Sequence, residues 1–400
     1  MRDASPDRLR SQPGYPAFLG AATLGRLADE MLPVTVVLFV LDRTGRPGLA
    51  GLTVAAAAFP SVLTGPLLGV WLDGTSRRRT ALAANSAILA VCLTGMFLAG
   101  GRAPDWVLPV LAALGGATAP LLTGGVSSVI PLLVPAPLLP RANALEAGSF
   151  NLAAILGPGL AGVAASVAGP GGALLAQTTV AVAALVAFTL LPPLPAPPAG
   201  ARRPLGATLR TGLGRLLRSP VLRGVTVTTT LALGVQGLLP LALPLFTERL
   251  GAGRGGAGFL WAAMEAGALA GALVAARVGA GWRPELVVLG GTALTGCAVA
   301  ALALAGSFPV ALAVMTLAGL AAGPAFASLF TVRQEWSPPE LRGQIFTTAA
   351  SAKIAAFAVG SALAGPVAGA IGVGATIAVT GAGQFLSVLA GLAAGAARRG

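Results

Sequence analysis

Six ionisable residues stand inside long apolar runs of this 400-residue chain: Arg26, Asp29, Glu30, Glu146, Glu265 and Lys353. In such a setting they have three chemical uses. A carboxylate and a cation can form a pair. A carboxylate left without a cation can take up and release a proton, because desolvation disfavours the charged form of a buried acid. An ion of either sign can hold a charged ligand. Metal chemistry is not among the uses, since the sequence holds no histidine and its two cysteines, Cys92 and Cys297, lie singly in apolar runs. No metal, cofactor or disulfide framework is expected. Arg26 has the spacing to meet Asp29 at i+3 or Glu30 at i+4. The two acids diverge by about 100° around a helix, so one arginine serves one of them well. The other is then a candidate proton carrier; a wholly structural arginine–carboxylate pair is the alternative.

The elements that position these groups follow from composition. Hydrophobic residues make up 55% of the chain and charged residues 10%, against about 25% charged in soluble domains. Mean hydropathy is +0.84. Twelve runs are long enough to cross a bilayer: 15–41, 48–72, 80–100, 106–130, 141–168, 172–191, 221–247, 256–279, 285–305, 308–332, 338–370 and 373–395. They lack the alternation of barrel strands, so the fold class is all-α integral membrane. The first run, interrupted by charges, reads as a retained span and not as a signal peptide. Nineteen arginines fall in segments on the side of the N-terminus, against Arg43, Arg46, Arg102, Arg249 and Arg254 on the other. That bias predicts both termini in the cytoplasm. The net charge of +13 is therefore an orientation signal, with the lipid bilayer as partner and no nucleic acid. Trp71, Trp106, Trp282 and Trp336 fall at predicted span ends, as interfacial belts require. Lys353 is the single lysine among 26 basic residues, a bias that fits a high-GC bacterial genome.

The longest loop, 192–220, divides the spans six and six: an N-terminal half, 1–191, and a C-terminal half, 221–400. Its start is a stiff Pro-rich spacer. Its later part, with Leu205, Leu209, Leu213, Leu216 and Leu217 interleaved with arginines, reads either as a short helix on an anionic leaflet or as a solvated basic linker. A shift of 207 residues superposes Leu32-Pro33 on Leu239-Pro240, Phe39 on Phe246, Ala50-Gly51 on Ala257-Gly258 and Gln177 on Gln384. The same shift superposes Asp29 on Gln236, and Glu146 on Lys353. A six-helix repeat in one orientation implies parallel halves related by an axis along the membrane normal.

Between the second and third runs stands GVWLDGTSRRRT, residues 69–80. Gly69, Asp73, Arg77 and Arg78 match the Gly-x-x-x-Asp-(Arg/Lys)-x-Gly-(Arg/Lys)-(Arg/Lys) signature of the major facilitator superfamily, with Gly74 and Ser76 departing from it. Along its whole length the chain resembles a twelve-helix member of that family. The resemblance implies that this loop latches the halves together on the cytoplasmic side; arginines that only fix orientation are the alternative. A carboxylate there is favoured beside a neighbouring helix N-terminus. The start of the eleventh run is a candidate neighbour, with Ser337 and Glu340 at capping-box spacing and Pro338 at the first helical position. Gly157-Pro158 followed by Gly162 in the fifth run is similar to an element of antiporter branches of the family, echoed by Gly365, Pro366 and Gly369 in the eleventh. Small residues permit close helix approach and proline frees a carbonyl, so these spans are expected to pack tightly and bend; ordinary membrane packing is the alternative.

In this family the third, sixth, ninth and twelfth helices are peripheral, and their expected interiors carry no charge. All six ionisable residues fall on helices that the resemblance places around a central cavity. Arg26, Asp29, Glu30, Glu146, Asn151, Gln236, Glu265 and Lys353 are thus the candidate substrate and proton pathway. Glu146 and Lys353 are read as facing each other across it, and Glu265 either as a coupling group or as a partner of Lys353. The resemblance implies proton-coupled export of a small organic compound, such as a drug, secondary metabolite or siderophore, by a monomer in the bacterial cytoplasmic membrane. Uptake or lipid flipping on the same fold, and more remotely a scaffold or receptor, are the alternatives. No Gly-x-Ser-x-Gly or nucleotide-binding signature is present, which argues against an enzyme or an ATP-driven pump.

Overall fold

The computed structural model describes residues 9, 12–194, 214, 217–278, 281–338 and 341–396. Most of the 192–220 loop, including Leu205, Leu209, Leu213 and Leu216 of the leucines read as a surface helix, lies outside them. The chain folds as helices α1 (Tyr15–Thr44), α2 (Pro47–Ala58), α3 (Ser61–Gly74), α4 (Arg78–Ala99), α5 (Val107–Gly116), α6 (Val126–Leu133), α7 (Leu139–Leu190), α8 (Pro220–Gln236), α9 (Leu239–Arg249), α10 (Gly256–Val278), α11 (Pro284–Leu302), α12 (Phe308–Trp336), α13 (Arg342–Ile371) and α14 (Val373–Ala396). Local signals set many of the ends. Proline opens α2, α8 and α11, where its missing N–H costs nothing. Ser219 accepts the Leu222 N–H at the start of α8 (3.5 Å). Gly45, in the left-handed region (φ 64°), closes α1.

Each of the twelve apolar runs falls on helix over most of its length. Among the described residues, eight helices are long and apolar enough to cross a bilayer, and the pair α8–α9, bent by 44°, makes nine. The difference from twelve has local causes. α7 carries the fifth and sixth runs, separated only by Gly169 (φ 72°, ψ 173°) and Pro170. The fourth run is broken into α5, a π-helical turn at Leu121–Gly125, and α6. The first carries its three ions. One expectation needs correction. The eleventh helix starts at Arg342, so Pro338 does not open it; Pro338 follows the end of α12, its carbonyl accepting the Leu341 N–H at 2.9 Å, and Glu340 lies outside the described residues. Helix 139–168 keeps helical backbone angles through Gly157-Pro158, and the non-helical residue of α7 is Gly169.

Large apolar side chains stand exposed on the outside, with Leu304, Val167 and Leu190 at least 80% accessible. Water would penalise that surface and lipid does not. Trp71, Trp106, Trp282 and Trp336 are likewise exposed, near helix ends.

The halves meet along two helix pairs, α2–α13 and 139–168 with α10. Both contacts tighten at the end of the bundle opposite the termini. A Cβ on Gly51 would overlap the Ser361 carbonyl oxygen, and one on Gly258 would overlap that of Pro158. Gly51 and Gly258 are equivalent in the 207-residue repeat, so one position, used twice, lets backbone meet backbone across the halves. Gly365 lies against Gly48, and a Cβ on Gly162 would stand 2.6 Å from the Gly255 carbonyl oxygen. Gly369, grouped with them in the sequence, has nothing within 4 Å and takes no part.

Candidate functional site

Arg26 does not pair with Asp29 or Glu30. Its guanidinium crosses to helix 139–168, where Nη2 donates to Glu146 Oε1 at 2.7 Å and Nη1 to Ser149 Oγ at 3.0 Å. Nε donates to the Leu122 carbonyl at 3.2 Å, inside the π-helical turn, and the Phe150 ring lies 5.5 Å from the guanidinium carbon. Ser127 completes the cluster by donating to Glu146 Oε1 at 2.5 Å. Arg26 and Glu146 are 3% and 9% exposed. An arginine preceding its acid by four residues is the less favourable helical order, whereas the neighbouring helices offer the fork a carboxylate and two further acceptors. The Glu146 carboxylate is therefore turned into the N-terminal half and does not face Lys353 across a cavity.

Among the described carboxylates in the interiors of the spans, that leaves three without an ion pair: Asp29 and Glu30 on α1 and Glu265 on α10. All three are half-buried. Glu265 lies within electrostatic range of Glu30, so acids from the two halves approach each other. Gly157 holds Glu30 in place: a Cβ there would come within 2.7 Å of the Glu30 Cβ. Asp29 and Glu30 stand about 21 and 22 Å along α1 at helical rise, near mid-membrane.

Lys353 forms no ion pair with Glu265. Its Nζ lies over the Phe326 ring of α12, 5.7 Å from the centroid. Asn151 is half-buried and makes no hydrogen bond to a described residue. Gln236 ends α8, at the bend before α9. In the 69–80 loop, Asp73 lies in the last turn of α3 and Arg77 precedes α4 as its cap, exposed to solvent. Arg78 is buried, with Nε donating to the Leu72 carbonyl at 3.0 Å; of Asp73 and Gly69 only the backbone is described.

Arg333 is one of the nineteen arginines assigned to the side of the N-terminus. It lies in the last turns of α12, 4% exposed, over the Phe346 ring of α13 at 5.7 Å. The spacing Phe326, Phe330, Arg333 (i, i+4, i+7) is the signal that marks these residues as one helix face.

An apolar pocket of about 530 Å³ lies between the starts of α1 and α7, lined by Leu9, Tyr15, Leu19, Arg141 and Leu145 among others. None of the unpaired carboxylates lines it.

Comparison with known proteins agrees with this architecture. The family model described as Major Facilitator Superfamily matches residues 18–353. The chain is 32% identical to the uncharacterized MFS-type transporter y4rN of Sinorhizobium fredii, over 92% of this chain and 91% of the relative. It is 28% identical to the multidrug efflux pump Tap of Mycobacterium bovis, over 92% and 90%. Among solved structures, a bacterial homolog of the human lysosomal transporter Spinster superposes with a TM-score of 0.72 at 15% identity, covering 99% of this chain and 96% of that one. A bundle of apolar helices in two repeated halves, with uncompensated carboxylates at mid-depth and this family match over most of its length, is a multi-pass membrane transport protein; the chain belongs to the major facilitator superfamily.

Proposed function

We propose that the chain exports small organic compounds in exchange for protons, by alternating access. The observation that carries the reading is the set Asp29, Glu30 and Glu265: carboxylates at mid-membrane, on helices of both halves, with no cation bound to them. A permanent charge there would cost about 2.5–3.5 kcal/mol even on the lenient insertion scale, and protonation removes that cost. Glu30 and Glu265 belong to different halves, so a rocking motion that separates the halves also changes the distance between the two acids. Their mutual repulsion then links proton occupancy to conformation. The glycine contacts at the far end supply the gate: Gly51–Ser361 and Gly258–Pro158 close that end, and parting them opens it. Asn151, Gln236 and Lys353 fill out the polar lining of the pathway, while Arg26 and Glu146 brace α1 against its neighbours.

Export is favoured over uptake by the likeness to a protein named a multidrug efflux pump. Orientation follows the arginine bias, with both termini in the cytoplasm, in a bacterial cytoplasmic membrane. At the far end three of the five arginines stand beside carboxylates. Arg43 pairs with Asp42, Arg46 with Asp105 and Arg254 with Glu248, all partly or fully exposed. Asp73 and the Arg77-Arg78 pair serve as the cytoplasmic latch, and the chain works as a monomer of two halves, 1–191 and 221–400, joined by 192–220. Asp73→Asn is then expected to slow turnover more than it weakens substrate binding; sharply weaker binding with normal turnover would contradict the latch.

The direct test uses inside-out vesicles holding the protein and a panel of fluorescent organic compounds. Accumulation driven by an acid interior, with matching alkalinisation of the lumen, is the expected result. Accumulation only with the opposite gradient would identify an uptake carrier, and movement of labelled lipid alone would identify a flippase.

A further inference from the structure

The C-terminal half carries a chain of cations and rings that ends at Lys353, in the lining of the proposed pathway. Arg333 lies over Phe346 at 5.7 Å. Phe346 lies 5.7 Å from Phe330, tilted by 37°. Phe330 meets Phe326 edge to face at 5.1 Å. Phe326 lies under Lys353 Nζ at 5.7 Å. The five residues come from α12 and α13 and form one continuous row.

The row has a direction. Arg333 is three residues from the end of α12 and Phe346 four from the start of α13, about 5–6 Å in from the side of the termini at helical rise. Phe326 and Lys353 are ten and eleven residues in, about 15–16 Å deep. The row thus runs from the termini side to mid-membrane, with a cation at each end.

Two features say that it receives something. Neither cation has an ion pair with a described carboxylate. Nε and Nη2 of the 96%-buried Arg333 have no hydrogen-bond partner at all among the described residues. The rings between the cations are also open, Phe326 at 55% and Phe330 at 40% accessible. A lysine ammonium at mid-depth does not face hydrocarbon, so the side it shares with Phe326 is the interior one. Two uncompensated cations within range of each other make an anion welcome, and exposed ring faces and edges take a planar aromatic group.

Resting on the reading of this chain as a transporter of small organic compounds, we infer that Arg333, Phe346, Phe330, Phe326 and Lys353 form a binding track for planar aromatic compounds bearing an anionic group, entered from the side of the termini. The anionic group passes from Arg333 to Lys353, and the aromatic body lies along the three phenylalanines. Lys353 is the terminal anchor.

Equilibrium binding to the purified full-length protein in detergent tests this without a gradient or a transport direction, so failure of export and failure of the track are separable. Three probes suffice: 2-naphthoate, cyclohexanecarboxylate and 2-naphthylmethylamine. The wild type should bind 2-naphthoate most tightly. Lys353→Gln should weaken 2-naphthoate by about tenfold or more while leaving the amine unchanged or tighter. Lys353→Arg should restore the anion, and Phe330→Leu should weaken both naphthyl probes by about threefold or more with cyclohexanecarboxylate little changed. Should Lys353→Gln lose its monodisperse elution, Phe330→Leu and Lys353→Arg carry the same test. Wild-type preference for the amine, no measurable binding of 2-naphthoate, or unchanged 2-naphthoate affinity in Lys353→Gln or Phe330→Leu would each overturn the track.

Discussion

Glu146 and Lys353 occupy the same place in the two halves, 207 residues apart, and have opposite surroundings. Glu146 is buried and bonded to Arg26 and Ser127. Lys353 has a phenyl ring and, among the described residues, no counter-ion. A second equivalent pair behaves the same way. Gln177 donates to the Ala28 carbonyl at 2.8 Å and accepts from the Thr35 hydroxyl. In its counterpart, Gln384, Oε1 is buried without a partner among the described residues, where the residue equivalent to Thr35 is Ala242. The repeat has kept the backbone plan and let the polar interior diverge. At these two positions the N-terminal half satisfies the buried group locally, which rigidifies it there, and the C-terminal half leaves it available.

The largest effect that sharpens this contrast is expected from Glu146→Gln. It strands Arg26 as a buried cation, and breaking such a pair costs about 3–5 kcal/mol. Reversible unfolding in mixed detergent micelles should show that loss, or the variant should fail to yield monodisperse protein. A loss below about 1 kcal/mol would remove the bracing role of the first half.

Next come Gly51→Val and Gly258→Val, where the halves should behave alike. Each places atoms on a backbone carbonyl of the opposite half and should slow transport by about tenfold, or about 1.4 kcal/mol, with little change in substrate affinity. A large effect in one variant and none in the other would show that the far-end gate is not a repeated device. Gly369→Ala, which meets open space, is the neutral control.

The smallest effect belongs to Lys353→Met. Replacing an unpaired half-buried ammonium by an apolar chain of similar length should leave unfolding within about 0.5 kcal/mol or stabilise the protein. Destabilisation comparable to Glu146→Gln would mean that Lys353 has a partner as firm as Arg26 has.

Sequence and structure agree where the signal is repeated or collective. The apolar runs located the helices, and the 207-residue offset picked out Ala50-Gly51 and Ala257-Gly258, whose glycines meet the other half. Single-helix reasoning failed for Arg26. The i+4 rule sees only partners on the same helix, while its acid stands 120 residues away on a helix whose facing side no local pattern specifies. Arg333 was hidden by counting arginines as loop charge, although its spacing from Phe326 and Phe330 was visible. Backbone angles around Pro158 stay helical, since a membrane helix tolerates proline where its neighbours pack against it. Glycine at position 169, free to adopt positive φ, takes the turn instead.

The central claim is that the carboxylates without cations carry the coupled proton. It is tested most directly by Asp29→Asn, Glu30→Gln and Glu265→Gln, singly and combined, in vesicles with and without a pH gradient. The account predicts that the combined variant loses gradient-driven accumulation and keeps substrate counterflow, which moves no net proton. Accumulation against a gradient by that variant would contradict it.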